Sequence, residues 1–398
     1  MQYSGVIEAL PIVGKIMKTT HGPTNSKPTT GSSHAPGTRT PTKAKTPAQQ
    51  EVKAATSTPS ARSAECNSGV ATHGGLASSG SAQLRALAVF EKACGSSVAN
   101  TASFFAPTPI NAAQAQSYAA DIVAQLRAFS ANGISPLIFL EPTSEGNIID
   151  FNQYAAGAFT PVLNSYFKAI KAAGISDSQM GLWVSFPEGN IPVWTSVDPN
   201  VYATNVTITM QAMKSVFPAA KAGLLLDSVS YPSAGSWSGG RQVSLLPYVR
   251  NIPKGLINSF GLQGFPWAPP ANEAGPASFD PQTYLRIDEA KEAARTLGIS
   301  EIWMNTGTFS KSYANNSARM VLVSATERQR MLDGVIVQAQ ALKRDGFTVA
   351  VHLFSENKAN VNEAIDWSYW QDSQNSAVFK TFAHDAQSSG IPLWIFDS

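Results

Sequence analysis

C-terminal to a Gly/Ser-rich run, Gly74 to Ser81, short apolar runs alternate with longer stretches whose apolar positions recur at helical spacing. Parallel sheets covered by crossover helices produce this alternation. The runs expected as strands are Leu87 to Phe90, Ala102 to Phe105, Pro136 to Leu140, Leu182 to Phe186, Gly223 to Asp227, Gly261 to Phe265, Ile302 to Thr306 and Thr348 to Phe354, with a ninth run at Pro392 to Phe396. Eight strands suit a closed (β/α)8 TIM barrel of the α/β class. Between them, Tyr118, Ile122, Leu126 and Phe129 form one helical stripe, and Phe159, Leu163, Tyr166 and Ile170 form another. Asp198-Pro199 and Asp280-Pro281 read as an N-cap followed by a first-turn proline, and Ser324 with Glu327 fits a capping box. Gly298 and Gly346 stand where helices should stop.

Residues 19 to 63 are dominated by Thr, Ser, Pro, Lys and Ala and hold almost no large apolar side chain, so they cannot offset their own ordering entropy. The expected organisation is a disordered N-terminal stalk over residues 1–80 and a barrel over residues 81–398. Charge follows the same division. Residues 1–80 carry eight Lys or Arg against three Asp or Glu, leaving 21 basic and 24 acidic residues in the rest. A mildly acidic body argues against nucleic acid as a partner. The two cysteines, Cys66 and Cys94, lie in no C-x-x-C pair, which argues against a thiolate zinc site and leaves a disulfide between them open. Gly5 to Met17 carries Glu8 and Lys15 and does not read as a signal peptide, and no apolar run approaches the length of a membrane span. A stalk of this composition suits an exported protein, extracellular or held at a cell surface through its N-terminal segment, and a monomer is expected.

In a barrel, residues just after each strand share one mouth. Those positions hold Glu141 with Pro142, Glu188 with Asn190 and Trp194, Asp227 with Tyr231, Phe265 with Trp267, Asn305 with Thr306, and His352 to Glu356, followed by Asp366, Trp367, Tyr369 and Trp370. Carboxylates and flat aromatic rings recur together. Sugar C–H faces pack on aromatic faces, and sugar hydroxyls need charged and amide partners. Glycoside hydrolysis needs a proton donor and a second carboxylate acting from the other face of the sugar. In the stretch W-V-S-F-P-E-G-N-I-P-V-W from Trp183 to Trp194, aromatic neighbours would desolvate Glu188 and keep it able to donate. Trp194, Trp267, Trp367 and Trp370 are the expected sugar platforms. The chemistry calls for no cofactor and no metal. His352, inside a strand, reads as a satisfied core histidine, and Asn205-Val206-Thr207 matches a glycosylation acceptor pattern by sequence alone.

These pieces resemble the clan A glycoside hydrolases, and within them the β-mannanase family numbered 26. The carrying motifs are G-I-S-P-L-I-F-L-E-P from Gly133 to Pro142 and the F-P-E-G-N-I-P-V-W strand end. The resemblance implies a (β/α)8 barrel that hydrolyses a β-linked, mannan-like polysaccharide with retention. It makes Glu188 the acid/base, Asn190 part of its polar surround and Trp194 part of the cleft floor. Two departures stand out. Pro187 precedes the acid where the family has histidine, and the strand counted seventh ends in Asn305 and Thr306 where the family has its nucleophilic glutamate.

The expected activity is an endo-acting β-glycanase with Glu188 as general acid and Glu356 as its partner. Asp227 or Glu141 are alternatives for the second carboxylate, and both are expected with Asn190 and Asn305 among the substrate-binding residues. Two other functions fit the same residues: a barrel that binds carbohydrate without cutting it, and a transglycosylase.

Overall fold

In a computed structural model of the protein, the residues described are 99–190, 197–230, 241–242, 244–266, 280–309, 311–313, 320–355, 357–358, 365–366 and 373–397. Glu356, Trp194, Trp267, Trp367, Trp370, both cysteines, the stalk and the first expected strand all fall outside them.

Eight parallel strands close into a ring: β1 (Ala99–Pro107), β2 (Ser135–Glu141), β3 (Leu182–Ser185), β4 (Lys221–Asp227), β5 (Ser259–Gln263), β6 (Glu301–Thr306), β7 (Thr348–Ser355) and β8 (Leu393–Asp397). Each pairs with its neighbours in chain order, and β8 pairs with both β7 and β1. The strand count thus shifts by one from the sequence reading. The run at Ala102 to Phe105 is the first barrel strand, and the ninth run closes the ring. Glu188 therefore follows the third strand, not the fourth. The strand ending in Asn305 and Thr306 is the sixth, and the seventh is Thr348–Ser355, after which the next residue in sequence is Glu356.

The helices carry the expected caps. In α1 (Ala112–Ala131) the side chain of Asn111 accepts from Gln114 N, and in α3 (Pro199–Val216) Asp198 accepts from Asn200 N and Val201 N ahead of a first-turn proline. The α4 helix (Ile287–Leu297) ends on Gly298 at φ 74°, a left-handed position glycine adopts without a Cβ clash. In α5 (Ala325–Arg344) the Ser324 hydroxyl accepts from Glu327 N. Ile122, Leu126 and Phe129 on α1 and Leu163, Tyr166 and Ile170 on α2 (Thr160–Ala172) are buried, with Tyr118 and Phe159 partly buried beside them.

Period-two alternation sorts the strand residues into two layers. Ile138, Leu140, Trp183, Leu224, Leu226, Phe260, Leu262, Ile302, Met304, Val349 and Val351 face the helices. Leu137, Phe139, Leu182, Val184, Leu225, Trp303 and Ala350 fill the inside, with Phe105 and Trp394 against them. On β5 the inward place is Gly261, where a Cβ would sit 2.3 Å from the Trp303 ring. The indole of β6 occupies the volume that β5 leaves empty.

Candidate active site

The same alternation fixes what reaches the mouth. One step beyond the inner apolar layer, the inward positions are Glu141 on β2, Asp227 on β4, Gln263 on β5, Asn305 on β6 and His352 on β7, and Ser103 lies on the inward face of β1. Polar side chains stacked above an apolar plug form one layer of mutual contacts.

Glu188 enters that layer by a different route. From Leu182 and Val184 the next inward place would fall to residue 186, but β3 stops at Ser185 and the backbone turns left-handed at Phe186 (φ 51°) and again at Glu188 (φ 59°). Such conformations cost a non-glycine residue about 1–2 kcal/mol each, so something must hold them. Phe186 N donates to Leu140 O at 3.0 Å, and Glu188 N donates to Leu225 O at 2.9 Å. The Phe186 ring packs at 86° on Tyr154 and at 60° on Phe151, outside the barrel. A Cβ on Gly189 would lie 2.2 Å from the Tyr202 ring, so only glycine lets the loop approach α3 this closely. Asn190 clamps the loop to β4, its Nδ2 donating to Asp227 O at 2.7 Å and its Oδ1 accepting from Asp227 N at 2.9 Å.

Glu188 thereby joins its neighbours through Gln263. The Gln263 Nε2 donates to Glu188 Oε1 at 2.5 Å and to Asp227 Oδ2 at 2.8 Å, so these two carboxyl oxygens are separated by no more than those lengths combined. Asp227 is fully buried, whereas Glu188 is partly exposed at the mouth. Burial first, and the Glu188 carboxylate second, hold the Asp227 carboxyl well above the usual carboxylate range, against the opposing Gln263 bond. Glu141, partly exposed on the other flank, is raised from 4.5 to about 7, chiefly by burial and additionally by Glu188, while the Thr143 hydroxyl bond to its Oε2 at 3.3 Å works the other way. Three carboxyl groups on consecutive strand ends therefore share one electrostatic field.

Behind Gln263 the polar contacts continue. Asn305 Nδ2 donates to Gln263 Oε1, Asn305 Oδ1 meets His352 Nδ1 at 2.7 Å, and His352 Nε2 meets Ser103 Oγ at 2.9 Å. His352 is buried with both ring nitrogens satisfied, in line with the sequence reading, and burial pushes its imidazole down to about 3.

Of the residues singled out from sequence, Glu141, Glu188, Asn190, Asp227 and Asn305 meet here. Trp183 is not one of the aromatic neighbours expected to desolvate Glu188. Its ring lies among Tyr166 and Phe167 in the helix-facing layer and its Nε1 donates to Met180 O, so Glu188 is bordered by carboxyl and amide groups on the described side. Asn205 of the glycosylation pattern is fully buried, its Nδ2 donating to Phe151 O, and no glycosyl transfer can reach it in the folded chain. Sequence reasoning passed over Gln263 and Ser103. Gln263 was readable as a polar residue ending an apolar strand, S-F-G-L-Q. Among the described residues no group of three or more His, Cys, Asp or Glu side chains is placed to hold a metal ion.

No protein-family model matches the chain, and no curated protein matches its sequence. Solved structures do. A β-glucosidase from Thermotoga maritima in complex with deoxynojirimycin aligns with a TM-score of 0.51 at 10% identity, over 76% of this chain and 86% of that one. A family 1 β-glucosidase from the same organism gives 0.50 at 9% identity over the same shares, 76% and 86%. Fungal β-1,4-galactanases give 0.46 at 13% identity over 74% and 90%, too low a score to argue from. At these identities the likeness is one of fold. Both of the first two are β-glucosidases, so the narrower resemblance to family 26 finds no support in them. The chain has an eight-stranded (β/α)8 barrel distantly similar to those of the clan A glycoside hydrolases.

Proposed function

We propose that the protein is a glycoside hydrolase acting on a β-linked polysaccharide of the mannan type, with Glu188 as the general acid/base. One observation carries this reading: a partly exposed glutamate is held at the mouth of a glycosidase-like barrel by a strained loop and a shared amide, beside two further carboxyl groups. In the reaction Glu188 gives its proton to the leaving glycosidic oxygen. A second carboxylate attacks the anomeric carbon or deprotonates a water that does so, and with attack by the carboxylate Glu188 then takes a proton from the incoming water. Glu356 is the proposed partner, because it follows β7, and β3 and β7 stand four places apart in an eight-membered ring, on opposite sides of the mouth. Asp227 is too deeply buried to touch a sugar. It sits behind Glu188, linked to it through the Gln263 amide. The stalk composition supports an exported, surface-held enzyme.

The raised Glu141 favours a second arrangement of the same chemistry. A carboxyl raised to about 7 is about half protonated at neutral pH and suited to donate, in which case Glu141 is the acid and Glu188 the anionic group.

Incubation of the purified chain with β-mannan, β-1,4-glucan and β-1,4-galactan, scored by released reducing ends, tests the activity. Glu188→Gln is expected to lower turnover by about a thousandfold or more, following the usual size of an acid/base contribution. Parent-like cutting by that variant refutes the role of Glu188. Retention on the glycan without cutting would identify a binding barrel, and longer oligosaccharide products a transglycosylase. If Glu141 is the acid, Glu141→Gln removes the alkaline limb of the pH profile near 7.

A further inference from the structure

The contacts from Ser103 to Glu188 have a direction that the carboxylates impose. Carboxylate oxygens accept, so the end of Gln263 that faces both Glu188 and Asp227 must be its NH2 group. Its Oε1 then has to accept, and the atom presented to it is Asn305 Nδ2. That leaves Asn305 Oδ1 facing His352 Nδ1, which must carry the hydrogen. His352 Nε2 is thereby the bare, accepting nitrogen, and the Ser103 hydroxyl donates to it. Each step follows from the one before, and only one imidazole tautomer completes the sequence.

We propose that Ser103, His352, Asn305 and Gln263 form a one-way hydrogen-bond relay that locks the Gln263 amide toward Glu188 and Asp227, making His352 and Asn305 positioning residues for the Glu188 carboxyl. Every donor in the relay points toward the carboxyl pair, so all four dipoles present their positive ends to it. Burial among uncharged groups disfavours the imidazolium, and in the neutral ring with the hydrogen on Nδ1 the bare Nε2 takes its bond from the Ser103 hydroxyl. The groups around His352 are Ser103, Asn305, Phe139 and Trp303, none of them charged, and the two rings meet the imidazole edge-on at 64° and 89°. With four strands contributing, β1, β7, β6 and β5, and the loop after β3, the relay also ties the barrel mouth together.

The relay deepens the proposed function and rests on it only for its effect on turnover. The tautomer is measurable without any substrate. Long-range 1H–15N NMR on the full-length protein labelled with 15N-histidine is expected to show one of its five histidines as a neutral Nδ1–H tautomer that does not titrate between pH 5 and pH 8. A His352 in the Nε2–H form, or one that charges near the ordinary 6.5, would overturn the relay. Asn305→Asp keeps the acceptor for His352 and deletes the donor to Gln263. It is expected to draw His352 into the charged form and to lower kcat on whichever β-glycan is cut by up to about a hundredfold, with KM little changed. Parent-like kcat in a folded Asn305→Asp protein overturns the relay as well, and if that variant does not fold, the parent spectrum still decides. A protein with the expected tautomer that cuts no glycan would refute the function and leave the relay standing.

Discussion

Replacing Glu141 by glutamine should reveal how much the crowded mouth costs the fold. The Glu141 carboxyl is raised from 4.5 to about 7, mainly by burial, with Glu188 adding to it and Thr143 opposing. At about 1.4 kcal/mol per pH unit this amounts to about 3 kcal/mol, an upper figure because the side chain keeps some contact with water. The sign follows from proton binding. The folded chain holds the Glu141 proton more tightly than the unfolded chain, so this contribution is present in full below pH 4.5 and is lost as pH rises through about 7. Glutamine has the same shape and never ionises, and its Oε1 still accepts from Thr143. Urea unfolding of parent and Glu141→Gln should therefore coincide near pH 4, part between pH 4.5 and about 7 and stay apart above that, with the variant the more stable by about 2–3 kcal/mol. Asp227 titrates in both proteins, so the difference isolates Glu141. A gap that is the same at every pH, or one that favours the parent at pH 8, would refute the account of a carboxyl strained by burial.

Two further outcomes are expected. Glu188→Gly should stabilise the fold by about 1 kcal/mol in thermal or urea unfolding, because it relieves a left-handed glutamate at φ 59° and a like charge beside Asp227 and Glu141, while turnover falls to background. Destabilisation instead would show that the loop is not strained. Gly189→Ala should destabilise by about 1–3 kcal/mol, since its Cβ would meet the Tyr202 ring at 2.2 Å, and should lower turnover by displacing Glu188. An alanine variant with unchanged melting and unchanged rate would mean that the loop shifts freely.

Much of the barrel was legible because both of its periodicities are local. Apolar runs of strand length and stripes such as Phe159, Leu163, Tyr166 and Ile170 need only nearby residues to be read, and so do caps such as Asp198-Pro199. The count of strands was not local. Nothing in the run Pro392 to Phe396 says that it pairs with β1, and that single pairing moves Glu188 from the fourth strand to the third and makes Thr348–Ser355 the seventh. Reading strand ends gathered Glu141, Asp227 and Asn305 correctly, since inward alternation carries each one to the mouth. Trp183 has the parity of the helix-facing residues, as alternation from Leu182 already shows. Gln263 and Ser103 escaped notice because an amide or hydroxyl in a strand has no chemistry of its own. Their meaning comes from Asn305, His352 and the carboxyl pair, which lie between 36 and 249 residues away along the chain.

The pairing of β8 with both β1 and β7 also bears on how the chain is made. Of the eight barrel strands β8 leaves the ribosome last, and its partner β1 lies almost three hundred residues earlier in the chain. A sheet of the first seven strands without it would have two unpaired edges, the kind of surface that recruits other chains. Early release of the polypeptide before Leu393 would leave those edges exposed for good. Closure of the ring therefore depends on one five-residue strand.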